Sequence, residues 1–161
     1  MTLLGDENIR SPIAVALGAI AGALVRYYAT PKLTQWGDRL CGAGWGAGWT
    51  GFPYGTFVIN LSGCFLMGLI TALFTVLSAS LWSDRVPPEL RLLLTTGFLG
   101  AYTTFSTYGL EVMALGKGDR WEMALLYAIG SVVGGVLAVA IGQGCGSAIG
   151  HWWVSTAIGE K

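Results

Sequence analysis

The chain has 161 residues, of which 53% are hydrophobic and 11% charged, and its nine basic and nine acidic residues leave no net charge. A soluble domain of this length carries about 25% charge, so composition excludes an ordinary water-soluble globular domain. A single histidine, His151, and three scattered cysteines, Cys41, Cys64 and Cys145, exclude a disulfide framework and a cysteine–histidine metal centre.

Four apolar stretches stand out, at about 12–30, 54–79, 90–115 and 122–150. Crossing a bilayer takes roughly 20 helical residues at about 1.5 Å each, and each stretch is near or above that length. No charged residue falls between Arg39 and Asp84 or between Glu122 and Glu160. The pattern predicts an all-α membrane protein of four transmembrane helices in a single domain spanning 1–161.

Residues 1–11 are polar. Asp6 and Glu7 precede the first apolar stretch and Arg26 sits in its last third, which does not match the basic start and small-residue end of a cleavable signal. The first helix is expected from Pro12, suited to a first turn, to about residue 30. Gly18 and Gly22 give it a small-residue face at GxxxG spacing. Arg26 near its end either snorkels to the interface or draws anions toward a vestibule. A loop rich in Gly and Trp is expected over 30–53, with a short amphipathic helix around 31–40.

The second helix carries Thr56, Asn60 and Ser62. A mid-membrane amide is costly unless paired, so Asn60 reads equally as an interhelical hydrogen bond or as an anion donor in a pore. Its glycosylation sequon is discounted at that depth. Pro87–Pro88 marks a helix restart, and Glu89 suits a helix N-terminus.

The third stretch is the most informative. Leu92 to Leu110 is free of charge, yet its middle reads GFLGAYTTFSTY, Gly97 to Tyr108, mixing glycines, hydroxyls and aromatic rings. Irregular backbone at membrane depth survives only where it faces protein or a water- or ion-filled path. Gly97, Gly100 and Thr103–Thr104 therefore predict a broken helix, whose exposed carbonyls suit a hard cation such as Na⁺. Phe105 and Tyr108 share a helix face, and their ring edges, which carry partial positive charge, can meet a small anion. Glu111 lies at the inner boundary of the stretch. The tight turn GKGDR, Gly116 to Arg120, leads into the fourth helix, with Gly130, Gly134, Gly142, Gly146 and Gly150 at four-residue spacings. Among 25 glycines, these suit close helix packing and a partner subunit.

With four crossings, Arg10, Arg85, Arg91 and Lys161 share one side and Lys32, Arg39, Lys117 and Arg120 the other. Cytoplasmic loops normally carry the basic excess. Four against four, or five with Arg26 near the far end of the first helix, gives no strong bias, so insertion in both orientations with pairing of inverted copies is one simple consequence; a single deciding loop charge is the other.

Three segments, Gly18–Tyr28, Tyr54–Gly68 and Thr95–Tyr108, resemble in order and content the CrcB/Fluc family of fluoride channels. The resemblance implies a dual-topology homodimer of inverted subunits in a bacterial inner membrane, exporting fluoride passively through two pores. It implies Asn60 as the pore amide, with Phe105 as one of two aromatics that meet the ion. Tyr108 stands where the family usually has Phe, and its added hydroxyl can donate a hydrogen bond. Tyr127 and Ser131 match a polar track, while Gly135 and Val139 supply no hydroxyl further along. Thr56 is grouped with these pore residues, and Arg26 and Glu111 with the vestibules. The Gly100 and Thr103 carbonyls match the ligands of a structural Na⁺ at the dimer centre. Membrane lipid is the remaining expected partner; no nucleic acid is expected. No metalloprotease, dinucleotide or P-loop motif occurs, so no enzymatic activity is expected. A small proton-coupled exporter would need a membrane carboxylate, and helix 1 offers only Arg26. A structural assembly protein would predict ion flux indifferent to Asn60 and Phe105.

Overall fold

A computed structural model describes residues 6–44, 51–79 and 86–159. Arg85 and Lys161 of the charge comparison, and positions 45–50 of the expected first loop, lie outside the described residues. Every regular element among those described is helical: α1 (Asp6–Gly44), α2 (Tyr54–Ala79), α3 (Pro88–Leu92), a π-helical segment (Leu93–Leu99), α4 (Gly100–Tyr102), α5 (Phe105–Lys117) and α6 (Trp121–Gly159). Three stretches within them are long and apolar enough to cross a membrane: Ile9–Cys41, Tyr54–Ala79 and Trp121–Ala157. Large apolar side chains such as Leu17, Ile20, Ile129 and Val136 point outward, as suits a chain whose solvent is hydrocarbon. The chain is an all-α membrane protein.

The first helix does not stop near residue 30. It runs unbroken through Pro31 to Gly44, replacing the loop and separate short helix expected there. Proline removes one backbone hydrogen bond and tends to end or kink a helix. Two hydroxyls on either side of Pro31 tie this part of the helix to itself, the Thr30 hydroxyl donating to the Arg26 carbonyl at 2.7 Å and the Thr34 hydroxyl to the Thr30 carbonyl at 3.0 Å. Packing adds to this, because Gly55 admits Thr30 and Thr34 against α2, and Gly37 lies on the Tyr54 ring. The last helix likewise continues nine residues past 150. The Ser155 and Thr156 hydroxyls bond back to the Trp152 carbonyl, both at 2.8 Å, within that extension.

The most extensive packing is between α2 and α6. At Gly142 and Gly146 a methyl group would overlap the carbonyl oxygens of Phe65 and Leu69, and at Gly68 that of Val139. The two backbones touch, which only residues without a side chain allow. The same close approach recurs where α1 meets the π-helical segment. Gly18 and Gly22 face the Leu93 and Phe98 carbonyls, with no room for a Cβ. The π geometry itself was not foreseen from sequence; at its end the Gly100 N–H reaches the Thr95 carbonyl five residues back.

Between α4 and α5 the backbone leaves the helical region for two residues. Thr103 has φ −82° and ψ 161°, and Thr104 φ −150° and ψ 117°. Thr104 then caps α5, its hydroxyl accepting from the Thr107 N–H at 3.3 Å. A small buried cluster of Phe52, Leu115, Met123, Ala124 and Tyr127 ties the ends of α5 and α6 to the start of α2.

Candidate functional site

The extended pair Thr103–Thr104 leaves the helical hydrogen-bond ladder, and its backbone groups need other partners, since buried unsatisfied donors and acceptors are costly. Two side chains from other helices meet them. Asn60 on α2 takes the Thr104 N–H on its Oδ1 at 2.9 Å and returns an Nδ2–H to the Thr104 carbonyl at 3.1 Å. Arg26 on α1 donates from Nη1 to the Thr103 carbonyl at 3.0 Å. The Thr103 hydroxyl donates to the Leu99 carbonyl at 3.0 Å. Of the two readings open for Asn60, the interhelical bond is present, and its geometry leaves one Nδ2 hydrogen uncommitted.

Beside this clasp lies an open-sided cavity of about 370 Å³. Asn60, Thr103, Thr104, Phe105, Tyr108 and Ser131 line it, and Cys64, Val132, Gly135, Val136 and Val139 complete it. Asn60 and Cys64 are one turn apart on α2, while Ser131, Gly135 and Val139 are successive turns of one α6 face. Phe105 is 82% exposed, so its ring stands at the cavity mouth. The Phe105 and Tyr108 centroids are 5.5 Å apart with planes tilted by 40°. Tyr108 is also 5.3 Å from the Tyr127 ring, and its hydroxyl donates to the Ala128 carbonyl at 3.0 Å. The Ser131 hydroxyl oxygen is buried and has no partner among the described residues.

Not every candidate reaches this cavity. Thr56 and Tyr127, grouped by sequence with the pore, are buried behind it and do not line it. Both hold Glu111: the Thr56 hydroxyl donates to Oε1 and the Tyr127 hydroxyl to Oε2, each at 2.7 Å. The carboxylate, whose partner sequence left undefined, is thus held at both oxygens by hydroxyls. Arg26, assigned to a vestibule, sits against the extended pair. Gly100 is exposed, and the Thr104 N–H that an unbroken helix would deliver to its carbonyl goes to Asn60 instead. The sequence reading missed Cys64 and Thr104 as lining residues. Cys64 was legible from its i+4 spacing to Asn60.

The family model described as CrcB-like protein, Camphor Resistance (CrcB), matches residues 13–143. A Synechocystis protein named fluoride-specific ion channel FluC is 46% identical over 137 residues, covering 84% of this chain and 92% of its own length. A protein of the same name from Trichormus variabilis is 45% identical over 153 residues, covering 92% and 99%. One from Chloroflexus aurantiacus is 43% identical over 141 residues, covering 88% and 95%.

Proposed function

This chain belongs to the CrcB-like family, and from that premise we propose that it is a fluoride-specific ion channel through which fluoride leaves the cell down its gradient. It is not an enzyme. The observation that carries the reading is the Asn60–Thr104 clasp beside a cavity walled by hydroxyls and aromatic rings. Fluoride is small and strongly hydrated, so a path must replace its water with close donors. The free Nδ2–H of Asn60, the Ser131 hydroxyl and the Phe105 ring edge are such donors. None is a full positive charge that would hold the ion too tightly to release it.

In this proposal the chain forms one domain of four crossings in a bacterial inner membrane, the third built from α3, the π-helical segment, α4 and α5 and broken at Thr103–Thr104. The cavity is open on one side, and a second, inverted copy in lipid closes it. The balance of basic residues, four on each side, is compatible with both orientations. Thr56 and Tyr127 act through Glu111 rather than on the ion. Arg26 adds positive charge near the entrance.

A structural Na⁺ at the centre of that dimer fits these residues in part. The Gly100 carbonyl lacks the Thr104 N–H of a regular helix, while the Thr103 carbonyl already accepts from Arg26 and has one lone pair left. Two carbonyls per copy become four when two copies meet. When bound, the ion would supply fixed positive charge that offsets the exposed carbonyl oxygens.

The test is fluoride efflux from liposomes holding the purified chain, with chloride as control. Fluoride efflux well above that of empty liposomes, with chloride retained, is expected. Efflux equal to empty liposomes would refute the channel, and equal passage of chloride would refute its selectivity.

A further inference from the structure

We infer that the hydrogen bond from Tyr108 to the Ala128 carbonyl is what allows a tyrosine to line the ion path, because it withdraws the phenol proton from the passing anion. The inference rests on the channel reading above and deepens it.

A phenol has one hydrogen to give. Fluoride is the strongest hydrogen-bond acceptor among the halides, and a charge-assisted O–H donor binds it about twice as strongly as a neutral pair would. A phenol is a far more acidic and stronger donor than the Ser131 alcohol, so a free one in the cavity wall would be a trap, whereas conduction needs sites that hold an ion and let it go. In this chain the phenol is aimed away from the cavity. Its proton lies on the Ala128 carbonyl of α6 at 3.0 Å, and neighbouring rings fix its plane, Phe105 at 5.5 Å and Tyr127 at 5.3 Å. What remains facing the cavity is the ring. Tyr108 thus lines the path with its ring alone, and Ala128 is the positioning residue that holds its hydroxyl.

The experiment is a double-mutant cycle in liposomes. Ala128→Leu sets a larger side chain beside the carbonyl and displaces the phenol. It is expected to slow fluoride efflux about tenfold in the tyrosine parent and less than about twofold in a Tyr108→Phe parent, each against its own parent. A second readout needs no substitution at Ala128. The ultraviolet resonance Raman difference between the parent chain and Tyr108→Phe isolates one phenol, expected to appear as a donor whose signal fluoride does not change. Equal slowing in both parents, or a fluoride-dependent phenol signal, overturns the inference. Absence of fluoride efflux in the unmodified chain overturns the channel reading itself, and that failure is visible before any variant is made.

Discussion

Asn60 and Thr104 are joined by two hydrogen bonds of opposite sense, 2.9 Å from the Thr104 N–H to Oδ1 and 3.1 Å from Nδ2 to the Thr104 carbonyl. A side-chain amide here takes the place of a neighbouring strand, satisfying both backbone groups of one extended residue. Few residue types can do this, since the task needs a donor and an acceptor on one short planar group.

Replacing Asn60 separates these tasks. Asn60→Asp keeps an acceptor for the Thr104 N–H but loses the donor and places negative charge beside the anion path. Fluoride efflux is expected to fall to the level of empty liposomes. Asn60→Ala orphans both backbone groups and is expected to cost about 1–3 kcal/mol for each, read as a lowered unfolding midpoint in detergent.

Glu111 gives a second test. Glu111→Ala leaves the buried Thr56 and Tyr127 hydroxyls without their acceptor, at an expected cost of about 1–3 kcal/mol for each group left unsatisfied. Glu111→Gln retains one carbonyl oxygen and is expected to cost less. Thermal unfolding of the two variants ranks them, and a reversed order would discard the hydroxyl clasp.

The glycine contacts predict a graded series. Gly22→Ala drives a methyl into the Phe98 carbonyl and Gly146→Ala into that of Leu69, each expected to cost about 1–3 kcal/mol by overpacking. Gly130→Ala meets nothing within 4 Å in this chain and is expected to stabilise its helix by up to about 1 kcal/mol. Should Gly130→Ala destabilise instead, the missing neighbour belongs to a second copy.

Cys64 tests whether the cavity is the path. With Cys41 and Cys145 replaced by alanine, a small charged thiol reagent is expected to cut fluoride efflux by more than half through Cys64 alone. Protection by further substitution of Cys64 to alanine completes the check. Full efflux after complete labelling of Cys64 would place the ion elsewhere.

How much of this was legible beforehand follows from what each residue reports. The three long apolar helices were readable because hydrocarbon admits few alternatives to a helix. The Thr103–Thr104 region stood out because hydroxyls and glycines are anomalous there. The Gly- and Trp-rich composition of 30–53 misled, since it reports local preference while the Gly37–Tyr54 and Gly55–Thr30 contacts that hold the helix through Pro31 are tertiary. The π-helical segment left no signal of its own in the sequence. Tyr127 was grouped with the lining through the resemblance and Thr56 as a polar residue beside Asn60, and neither signal says which way a side chain faces. Only the carboxylate between them decides that.

The two 39-residue helices, α1 and α6, are each about 58 Å long, while the hydrocarbon layer is about 30 Å thick. Even the steepest usual tilt, about 40°, leaves each reaching beyond it by about 15 Å at both ends taken together. The surplus turns carry Trp36 and Arg39 on one and His151, Trp152 and Trp153 on the other. They are stiff posts rather than slack tethers. A fluorophore on exposed Ser155 would therefore keep a fixed height relative to the lipid headgroups, and an impermeant quencher added from outside would read, vesicle by vesicle, which way up each molecule was inserted.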